Sequence, residues 1–441
     1  MILHEQISAQ LPAWRERIKS LSKEHAEVIV DHVTVGQIVG GMRDIKSLLT
    51  DVSFVDPAHG ILFRGMPIPE VLKKLPKARG GKMPLVGGFY YLLMIGELPT
   101  KEQAQEVEAE WAKRSTVPDY VYKMLKTMPK ETHPMTLFSQ AVLALQNGSV
   151  FAQRYHSMKK DQYWEAALED SLDLTAKLPI IAAYIHRLKA GDTKKPKYNP
   201  KLDYGANFSR MMGVADKKGY AELARLYFIL HSDHESGNVS AHTMHLVGSS
   251  LSDPYLSFSA ALNGLAGPLH GLANQECLGW LMEVHKKFGG VPSREDLYKF
   301  AWDTLNGGHV IPGYGHAVLR VPDSRFTAQM DFAKKRFPED ELIRLADLVF
   351  DVVPAVLREQ GKAKNPAPNV DAISGSLQYY YGVRDFDFYT VLFGVGRALG
   401  VTANFVWARA LGMPIERPKS LTTRMLEDVV AKAVATMVQP A

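Results

Sequence analysis

Cysteine is almost absent from this sequence. Cys277 is the only cysteine among 441 residues, so neither an intramolecular disulfide nor a cluster of thiolate metal ligands can form. Such cysteine usage fits a reducing compartment. We interpret Cys277 itself as a small buried apolar residue, because free cysteine is among the residue types most often buried.

Long hydrophobic runs and blocks of one charge are also missing. The longest strongly apolar stretch, at positions 83–96, is shorter than the ~20 residues that a membrane-spanning helix needs. It therefore predicts a core helix and no membrane association. The formal net charge is +5, but the basic residues are spread along the chain, whereas nucleic-acid binders typically gather them in a stripe. We expect no nucleic-acid partner.

Alternating strand patterns are rare, and helical periodicity dominates. Near the N-terminus, apolar residues at steps of three and four mark one helix face, which Pro12 should kink or restart. The best strand candidate is 54–55 with 61–63, on either side of a turn at 56–60. We therefore expect an all-α fold with one short β-hairpin.

Two loops rich in glycine or proline stand out between helical patterns. They lie at positions 311–316 and 361–369. Loops of this kind often carry functional residues, because a rigid scaffold positions them at the surface. We expect both loops to contribute to a site.

His270 lies among small residues, in the stretch GLAGPLHG at 264–271. Glycines there allow a ligand or another backbone to come close. The glycine and proline before His270 also predict a helix that begins near it, and the positive end of that helix would keep the imidazole neutral. A neutral imidazole can donate a hydrogen bond to a carbonyl that becomes an enolate. An ordinary surface or core histidine is the alternative.

His316 follows the glycine loop, and Arg320 and Arg325 come soon after it. Arginines bind carboxylates or phosphates through paired hydrogen bonds, and a histidine can polarise a nearby carbonyl. The group therefore predicts an anion site. A basic, solvated turn is the alternative.

Three further charged residues stand in unusual contexts. Asp371, in PNVDA at 368–372, is either a helix N-cap or a carboxylate base that removes a proton from carbon. Arg397 lies in the apolar stretch 391–399, where it needs an acidic partner or an anionic ligand. The case for Arg417 as an anion-binding residue is weaker, and an arginine in a solvated turn is the alternative.

The pairs His231/His234 and His242/His245 raise the hypothesis of a metal site. Their order matches neither of the helical zinc-peptidase motifs. We therefore expect no metal, and a metal-dependent hydrolase is kept only as an alternative.

Five ordered blocks resemble citrate synthases of the mitochondrial type, and the resemblance extends over nearly the whole chain. Ordered blocks of this length are very specific. They are HSDHESGNVSAH at 231–242, GLAGPLHGLANQ at 264–275, VIPGYGHAVLR at 310–320, KNPAPNVD at 364–371 and ERPKS at 416–420, with GGMR at 40–43 near the start.

The resemblance implies a homodimer of almost wholly helical subunits. Each subunit would have a large domain at 1–270 and 383–441, and a small mobile domain at 271–382 that closes over the substrates. The implied reaction condenses acetyl-CoA with oxaloacetate and hydrolyses the citryl thioester, at the entry to the tricarboxylic acid cycle. It requires no metal or redox cofactor.

The catalytic and oxaloacetate-binding residues of the family carry over by position. The catalytic set matches His270, His316 and Asp371. The partner subunit would lend one oxaloacetate-binding residue, which places the implied active site at the dimer interface. The oxaloacetate-binding set matches His234, Arg325, Arg397 and Arg417, of which Arg417 is the one lent.

Coenzyme A would contact the loop at 310–315, according to the same resemblance. Basic residues would lie near its phosphates. The loop contacts match Val310, Pro312, Gly313, Tyr314 and Gly315, and the basic residues match Arg320, Lys362 and Arg43.

Two positions depart from the family pattern. Ile373 stands where a histidine is common, and Ser236 where a glycine is common. Neither change should abolish the chemistry, but Ile373 would alter the acyl pocket. The nearest alternative is therefore a 2-methylcitrate synthase that uses propionyl-CoA, since one methylene changes discrimination by only about 1–3 kcal/mol. A non-catalytic helical dimer is the alternative of another class.

The resemblance implies the mitochondrial matrix. The first residues, MILHEQISAQ, lack the Arg-rich, acid-poor character of a transit peptide, so we expect the presequence to be absent from this chain. The last residues, MVQPA at 437–441, are not a Ser-Lys-Leu peroxisomal signal.

Overall fold

The computed structural model describes residues 1–315, 319–363 and 365–438. Within these residues the chain forms twenty α-helices and three short strands, which confirms the predicted all-α class. The helices of the first part are α1 (Ile2–Glu24), α2 (Val35–Val39), α3 (Ile68–Lys74), α4 (Val86–Ile95), α5 (Lys101–Arg114), α6 (Asp119–Thr127), α7 (Pro134–Leu145), α8 (Val150–Arg154) and α9 (Tyr163–Lys189).

The second part of the chain carries or flanks most of the candidate residues, and it is equally helical. Its helices are α10 (Tyr204–Met212), α11 (Lys217–Leu230), α12 (Val239–Ser249), α13 (Pro254–Leu265), α14 (Ala273–Phe288), α15 (Arg294–Asn306), α16 (Ser324–Arg336), α17 (Glu341–Gln360), α18 (Asp371–Tyr380), α19 (Tyr389–Ala410) and α20 (Thr423–Val438).

A small antiparallel sheet occupies the position of the predicted hairpin. In it, β1 (Ser53–Asp56) pairs with β2 (Gly60–Phe63), and Phe54 lies opposite Leu62. The expectation of a single hairpin was incomplete, because β3 (Met66–Pro67) adds a third strand beside β2. Two residues are too few to show an alternation of apolar and polar side chains, so the sequence pattern does not reveal this strand.

The N-terminal helix and the apolar stretch at 83–96 can both be compared with their predictions. Helix α1 continues through Pro12 and does not restart there. The apolar stretch forms the predicted core helix, since all ten residues of α4 are buried. Helix α4 ends at Gly96, whose φ of +85° is a conformation that glycine adopts without strain.

Helix α19 is the centre of the core. Every residue of it except Ala408 is buried, and it packs against α4, α9, α11, α12 and α13. By length and composition this helix could cross a membrane, but the protein itself buries 94% of the relevant stretch, as expected of a core helix. Side chains on α19 that carry charge are therefore held in an apolar environment.

The predicted small domain, 271–382, contains helices α14 to α18. These helices pack chiefly on one another, and α16 also contacts α3 and β2. The boundaries of the two domains stay a prediction. The mobility of the small domain stays a prediction.

Gly400 allows α19 to approach the turn that follows α11. Its backbone N–H donates a hydrogen bond of 3.2 Å to the carbonyl of Ser232. A Cβ atom at position 400 would lie 2.5 Å from that carbonyl oxygen and would overlap Asp233 Cβ. Only glycine permits this contact, which places the next residue of the turn, His234, near the core helix.

Replacing Gly400 with alanine should destabilise the protein by about 1–3 kcal/mol, because overpacking forces the turn and the helix apart. Gly279→Ala in α14 is the matched control. No atom outside its own helix lies within 4 Å of its Cβ position, so alanine should stabilise by about 0.4–1 kcal/mol there. Urea-induced unfolding measures both changes, and equal stability of the two variants would contradict the close approach at Gly400.

Candidate active site

Three candidate side chains lie around the ring of Phe393 in α19. The centroid of the ring lies 5.8 Å from that of His270 and 5.1 Å from that of His231, and 5.0 Å from Cζ of Arg397. His270 and Arg397 are 127 positions apart in the sequence, yet the structure brings both to this ring. Sequence reasoning did not identify Phe393, because it reads as one apolar residue among many.

His270 is positioned by a serine of the neighbouring helix α12. Its Nε2 lies 2.9 Å from the Ser240 hydroxyl, which in turn lies 3.0 Å from Asn238 Oδ1. The hydroxyl carries one hydrogen, so it donates either to Asn238 or to His270 Nε2. When it donates to Nε2, the imidazole proton resides on Nδ1 and is available to a ligand.

The imidazole of His270 is neutral, as the sequence suggested, but the reasons differ from the proposed helix dipole. Burial of the ring, followed by the positive charge of Arg397, lowers the pKa of His270 to about 4. The helix expected near His270 begins three residues later, at Ala273. At neutral pH the ring is therefore a hydrogen-bond donor without a charge.

Arg397 is a buried cation without a partner in the described part of the chain. It is 1% exposed, and none of its three guanidinium nitrogens has a hydrogen-bond partner among the described residues. Burial lowers the pKa of Arg397 to about 10, so the group stays charged at neutral pH. Of the two alternatives that the sequence left open, an internal ion pair and an anionic ligand, this geometry favours the ligand.

Hydrogen bonds hold the turn that carries His234 against β1. The Ser53 hydroxyl donates to Asp233 Oδ2 at 2.7 Å and accepts from the backbone N–H of Glu235 at 2.9 Å. Asn404 of α19 also donates to Asp233, at 3.0 Å. His234 lies buried between these two anchored neighbours, so its position in the turn depends on contacts that the sequence did not reveal.

Arg325 is held in place by the aspartate that caps its own helix. Asp323 accepts hydrogen bonds from Nε and Nη2 of Arg325, at 3.0 Å and 2.7 Å. Both side chains are buried. A guanidinium fixed through one edge can present its remaining donors in a defined direction, which suits recognition of a carboxylate.

Asp371 is not the N-cap of α18, which was one of its two interpretations. It is the first residue of the helix, and Val370 occupies the capping position. Burial raises the pKa of Asp371 to about 6, although the charge of Arg325 opposes this shift. A carboxylate with this pKa is mostly ionised at neutral pH, yet it is a stronger base than an ordinary aspartate.

Asn369 connects Asp371 with the glycine loop. Its side-chain oxygen accepts from the backbone N–H of Asp371 at 3.0 Å, and its side-chain amide donates to the carbonyl of Gly315 at 3.3 Å. Its backbone N–H donates to the carbonyl of Gly313 at 2.9 Å. The two loops that the sequence singled out are therefore one structural unit, and Asn369 is a positioning residue that sequence reasoning missed.

Gly313 of the glycine loop packs closely against Cys277. Gly313 has a φ of +80°, and a Cβ there would lie 2.9 Å from both the Cys277 sulfur and Ala372 Cα. Cys277 is buried, as predicted, and burial raises the pKa of its thiol. The cysteine therefore packs the loop and is not a reactive thiol.

The remaining residues expected near coenzyme A lie at the surface or on the paired loop. Val310 is 76% exposed, and Lys362 and Arg43 are also exposed. Arg320 is tied to the β1–β2 turn, because its backbone N–H donates to the carbonyl of Pro57 at 2.9 Å. Pro312 and Tyr314 are partly buried, and Tyr314 bridges to Pro368.

Arg417 lies exposed in the irregular segment between α19 and α20. In the described part of the chain it has no hydrogen bond or ion pair to another candidate residue. The neighbouring Glu416 lies 3.8 Å from His242 Nε2. Within the described part of one subunit, no hydrogen bond or ion pair joins Arg417 to His270 or Asp371.

The histidine pairs do not form a metal centre in the described residues. No group of three or more His, Cys, Asp or Glu side chains is arranged to hold a metal ion there. His231 is instead buried, with its ring stacked on Tyr227 at 3.9 Å and its Nδ1 at 2.9 Å from the Tyr227 carbonyl.

Comparison with known proteins identifies the family. The family model described as citrate synthase, C-terminal domain, matches residues 41–419. The chain belongs to the citrate synthase family. A protein of Glossina morsitans morsitans named as a probable mitochondrial citrate synthase is 52% identical over 433 residues, which cover 98% of this chain and 93% of that relative.

Solved citrate synthases share the fold. The enzyme of Pyrobaculum aerophilum has a TM-score of 0.77 and 25% identity, over 90% of this chain and 97% of its own. The enzyme of Thermoplasma acidophilum, solved as a ternary complex with carboxymethyl coenzyme A and oxaloacetate, has a TM-score of 0.73 and 22% identity, over 88% and 96%. At 22% identity, the similarity to the Thermoplasma enzyme shows the shared fold alone.

His316 completes the catalytic set that the citrate synthase resemblance implies. It lies outside the described residues, so its placement stays a prediction. The described residues on either side are Gly315, which is bonded to the 366–369 loop, and Leu319, which is buried.

Replacing Arg397 with methionine should leave the ligand-free protein at least as stable as the wild type. The change removes a buried charge that has no hydrogen-bond partner among the described residues, and methionine fills much of the same volume. Oxaloacetate at 100 times its Kd should stabilise the wild type by about 2.7 kcal/mol, but not the variant, if Arg397 binds a carboxylate. Thermal unfolding with and without oxaloacetate measures both effects.

Arg409→Met is the matched control, because Arg409 is a second buried arginine on α19. Its Nη2 donates to the carbonyl of Met413 at 3.3 Å, so its replacement should lower stability and keep the response to oxaloacetate. An Arg397→Met variant that oxaloacetate still stabilises like the wild type would contradict the assigned role.

Proposed function

We propose that this chain is an active citrate synthase. It condenses the acetyl group of acetyl-CoA with oxaloacetate and hydrolyses the citryl thioester to citrate and coenzyme A. The observation that carries the proposal is the unpaired, buried guanidinium of Arg397 beside the neutral imidazole of His270. An anionic substrate with a carbonyl group would offset the charge of Arg397 and accept a hydrogen bond from His270.

Oxaloacetate is held by its two carboxylates in this proposal. Arg397 and Arg325 supply guanidinium groups from α19 and α16, and His234 adds a hydrogen bond from its anchored turn. The partner subunit's Arg417 completes the site. The support comes from Arg397, which has no hydrogen-bond partner among the described residues, and from Arg325, which Asp323 already orients.

The first chemical step is proton transfer from carbon. Asp371 removes a proton from the methyl group of acetyl-CoA, while Nδ1 of His270 donates a hydrogen bond to the thioester oxygen as the enolate forms. A preorganised donor of this kind is worth about 2.7–4 kcal/mol in related sites. The pKa of about 6 for Asp371 and the neutrality of His270 support these roles.

The second and third steps form citrate. The enolate carbon attacks the ketone carbon of oxaloacetate and forms the new C–C bond, and His316 donates a proton to the ketone oxygen. Asp371 then releases the proton that it took from carbon, and His316 regains one, through water. Water then adds to the thioester carbonyl, and coenzyme A leaves as its thiol with one proton. These steps move protons and form or break C–C, C–O and C–S bonds, so the proposal includes no metal or redox cofactor.

Coenzyme A lies against the paired loops in this proposal. Residues 310–315 contact its body, and Arg320, Lys362 and Arg43 lie near its phosphates. Since Asn369 bonds both to Gly315 and to Asp371, the same loop unit would align the acetyl group with the base. Closure of the small domain, 271–382, would exclude water during the first two steps.

A homodimer in the mitochondrial matrix is part of the same proposal. The segment after α19 exposes large apolar side chains, and a contiguous apolar patch on a surface indicates a partner. The name of the Glossina relative supports the mitochondrial location. The exposed residues after α19 are Ile415, Leu421, Met425, Val429, Val430 and Val434.

Release of coenzyme A thiol tests the function directly. Wild type and Asp371→Ala should be compared with acetyl-CoA and with propionyl-CoA, each with oxaloacetate. We expect a strong preference for acetyl-CoA and nearly complete loss of turnover in the variant, because Asp371 is the base. Equal or better use of propionyl-CoA would instead indicate a 2-methylcitrate synthase and implicate Ile373, and no release from the wild type would refute catalysis.

The pH dependence of kcat/KM should report the ionisation of Asp371. The base acts only when deprotonated, so kcat/KM should fall as the pH drops through about 6, by about tenfold per pH unit below that value. His270 should not titrate in this range, since its pKa is about 4. A profile that stays flat from pH 7 to pH 5 would argue against Asp371 as the base.

A further inference from the structure

A cavity lies beside the end of α19. Its volume is about 330 Å³, near the small end of the range of about 300–1,000 Å³ that small-molecule pockets occupy. Helices α1 and α12, the last turns of α19 and the segments 47–52 and 411–416 form most of its walls. None of the candidate catalytic, oxaloacetate-binding or coenzyme A residues lines this cavity, which we call the α19 cavity.

Much of the lining is apolar. Trp14 and Trp407 both belong to it, and their ring centroids lie 5.8 Å apart in an edge-to-face arrangement. An engineered apolar cavity of about 150 Å³ binds benzene, so the α19 cavity has room for an aromatic ring and a short chain. Further apolar side chains on its walls are Leu48, Leu411, Pro414 and Ile415.

Arg409 is a buried cation on the wall of the α19 cavity. It is 4% exposed, and its Nε has no hydrogen-bond partner among the described residues. Its Nη2 donates to the carbonyl of Met413 at 3.3 Å. Burial lowers the pKa of Arg409, and no carboxylate opposes this effect, but an arginine in a protein stays protonated. A charged N–H group beside the cavity therefore lacks an acceptor.

His245 provides a second polar group without a partner. Its Nε2 is shielded from solvent and forms no hydrogen bond with the described residues. The pKa of His245 is lowered to about 4, first by burial and then by the charges of His242 and Arg409. The ring is therefore neutral at pH 7, and Nε2 donates in the tautomer that places the proton there. The influence of Arg409 on this pKa also indicates that the two groups lie near each other.

The other charged residues of the lining interact elsewhere. Arg64 donates to two backbone carbonyls, at 2.8 Å and 3.2 Å, and the charge of Asp51 opposes the effect of burial on its pKa. Glu416 lies 3.8 Å from Nε2 of His242. Arg409 is therefore the cation of the lining whose charge no described residue offsets.

Arg409 and His245 require an acceptor that the described residues do not supply. A buried donor without an acceptor destabilises a protein, and such groups are normally bonded to ordered water or to a ligand. Water alone would leave the apolar walls without contacts, since cavities lined by apolar side chains stay dry. A ligand with one polar end and one apolar end suits both parts of the cavity.

We propose that the α19 cavity binds a small monocarboxylic acid with an apolar ring or chain. The carboxylate accepts hydrogen bonds from Nε of Arg409 and Nε2 of His245, and the apolar part lies against Trp14 and Trp407. One guanidinium beside a neutral imidazole supplies a single positive charge, which matches one carboxylate better than a phosphate dianion. This site is separate from the proposed active site and does not depend on the proposed activity.

Calorimetric titration with 3-phenylpropionate tests the proposal. The protein is saturated with oxaloacetate and coenzyme A, so that both ligands occupy the proposed active site. We expect one bound molecule per subunit and at least about tenfold weaker binding of the uncharged 3-phenylpropanamide, because hydrogen bonds between charged groups are stronger than neutral ones. No binding of 3-phenylpropionate, or equal binding of the amide, would overturn the proposal.

Replacing Arg409 with methionine should weaken the binding of 3-phenylpropionate at least about tenfold, because the charge is lost while much of the side-chain volume is kept. Arg15→Met is the matched control. Arg15 also bonds at the end of α19, where its Nε donates to the carbonyl of Ala410 at 2.9 Å, but it does not line the cavity. Arg15→Met should therefore bind like the wild type, and wild-type affinity in Arg409→Met would contradict the assigned site.

Variants of His245 keep the test decisive if Arg409→Met does not fold. His245→Leu removes the second donor and should weaken binding about fivefold. His245→Gln places an amide donor near the position of Nε2 and should restore most of the affinity. Equal binding by the leucine variant and the wild type would exclude His245 from the site.

Arg397→Met separates the α19 cavity from the proposed active site. Arg397 does not line the cavity, so this variant should bind 3-phenylpropionate like the wild type. Loss of binding in Arg397→Met would place the probe in the active site and overturn the proposal. These titrations need no turnover, so their outcome is independent of whether the chain is an active citrate synthase.

Discussion

The buried charge of Arg397, which has no hydrogen-bond partner among the described residues, is the constraint on which the rest of the site depends. A cation on a buried helix lowers the stability of the free protein unless hydrogen bonds or an opposite charge compensate it. The Cζ atom of Arg397 lies 5.0 Å from the centroid of the Phe393 ring, and the charge of Asp233 acts on the guanidinium without a hydrogen bond. Burial is the main reason that the pKa of His270 is lowered, and the positive charge of Arg397 adds to this effect.

The other candidate residues around Arg397 are positioned by hydrogen bonds from short polar side chains. Ser53 and Asn404 anchor the turn of His234 through Asp233, and Asp323 fixes Arg325. Asn369 aligns the loop at 310–315 with Asp371. Short polar side chains with few rotatable bonds lose little conformational entropy when they are ordered, which suits a site that must hold several reacting groups in register.

The sequence was a good guide to elements with strong patterns. The core helix at 83–96, the hairpin at 54–63 and the candidate residues His270, Asp371 and Arg397 could all be proposed from local context. The third strand could not, because β3 has only two residues. The sequence also showed no sign of three positioning residues, for a different reason. Their contacts join residues that are far apart in the chain or pair two loops, and no local sequence pattern predicts such contacts. These residues are Ser240, Phe393 and Asn369.

The sequence by itself determined the helical class and the family and proposed a set of site residues, because periodicity and ordered motifs are local properties of the chain. Only the tertiary structure decided which of those residues are buried, which have partners, and what their pKa values become. Burial and neighbouring charge set these properties.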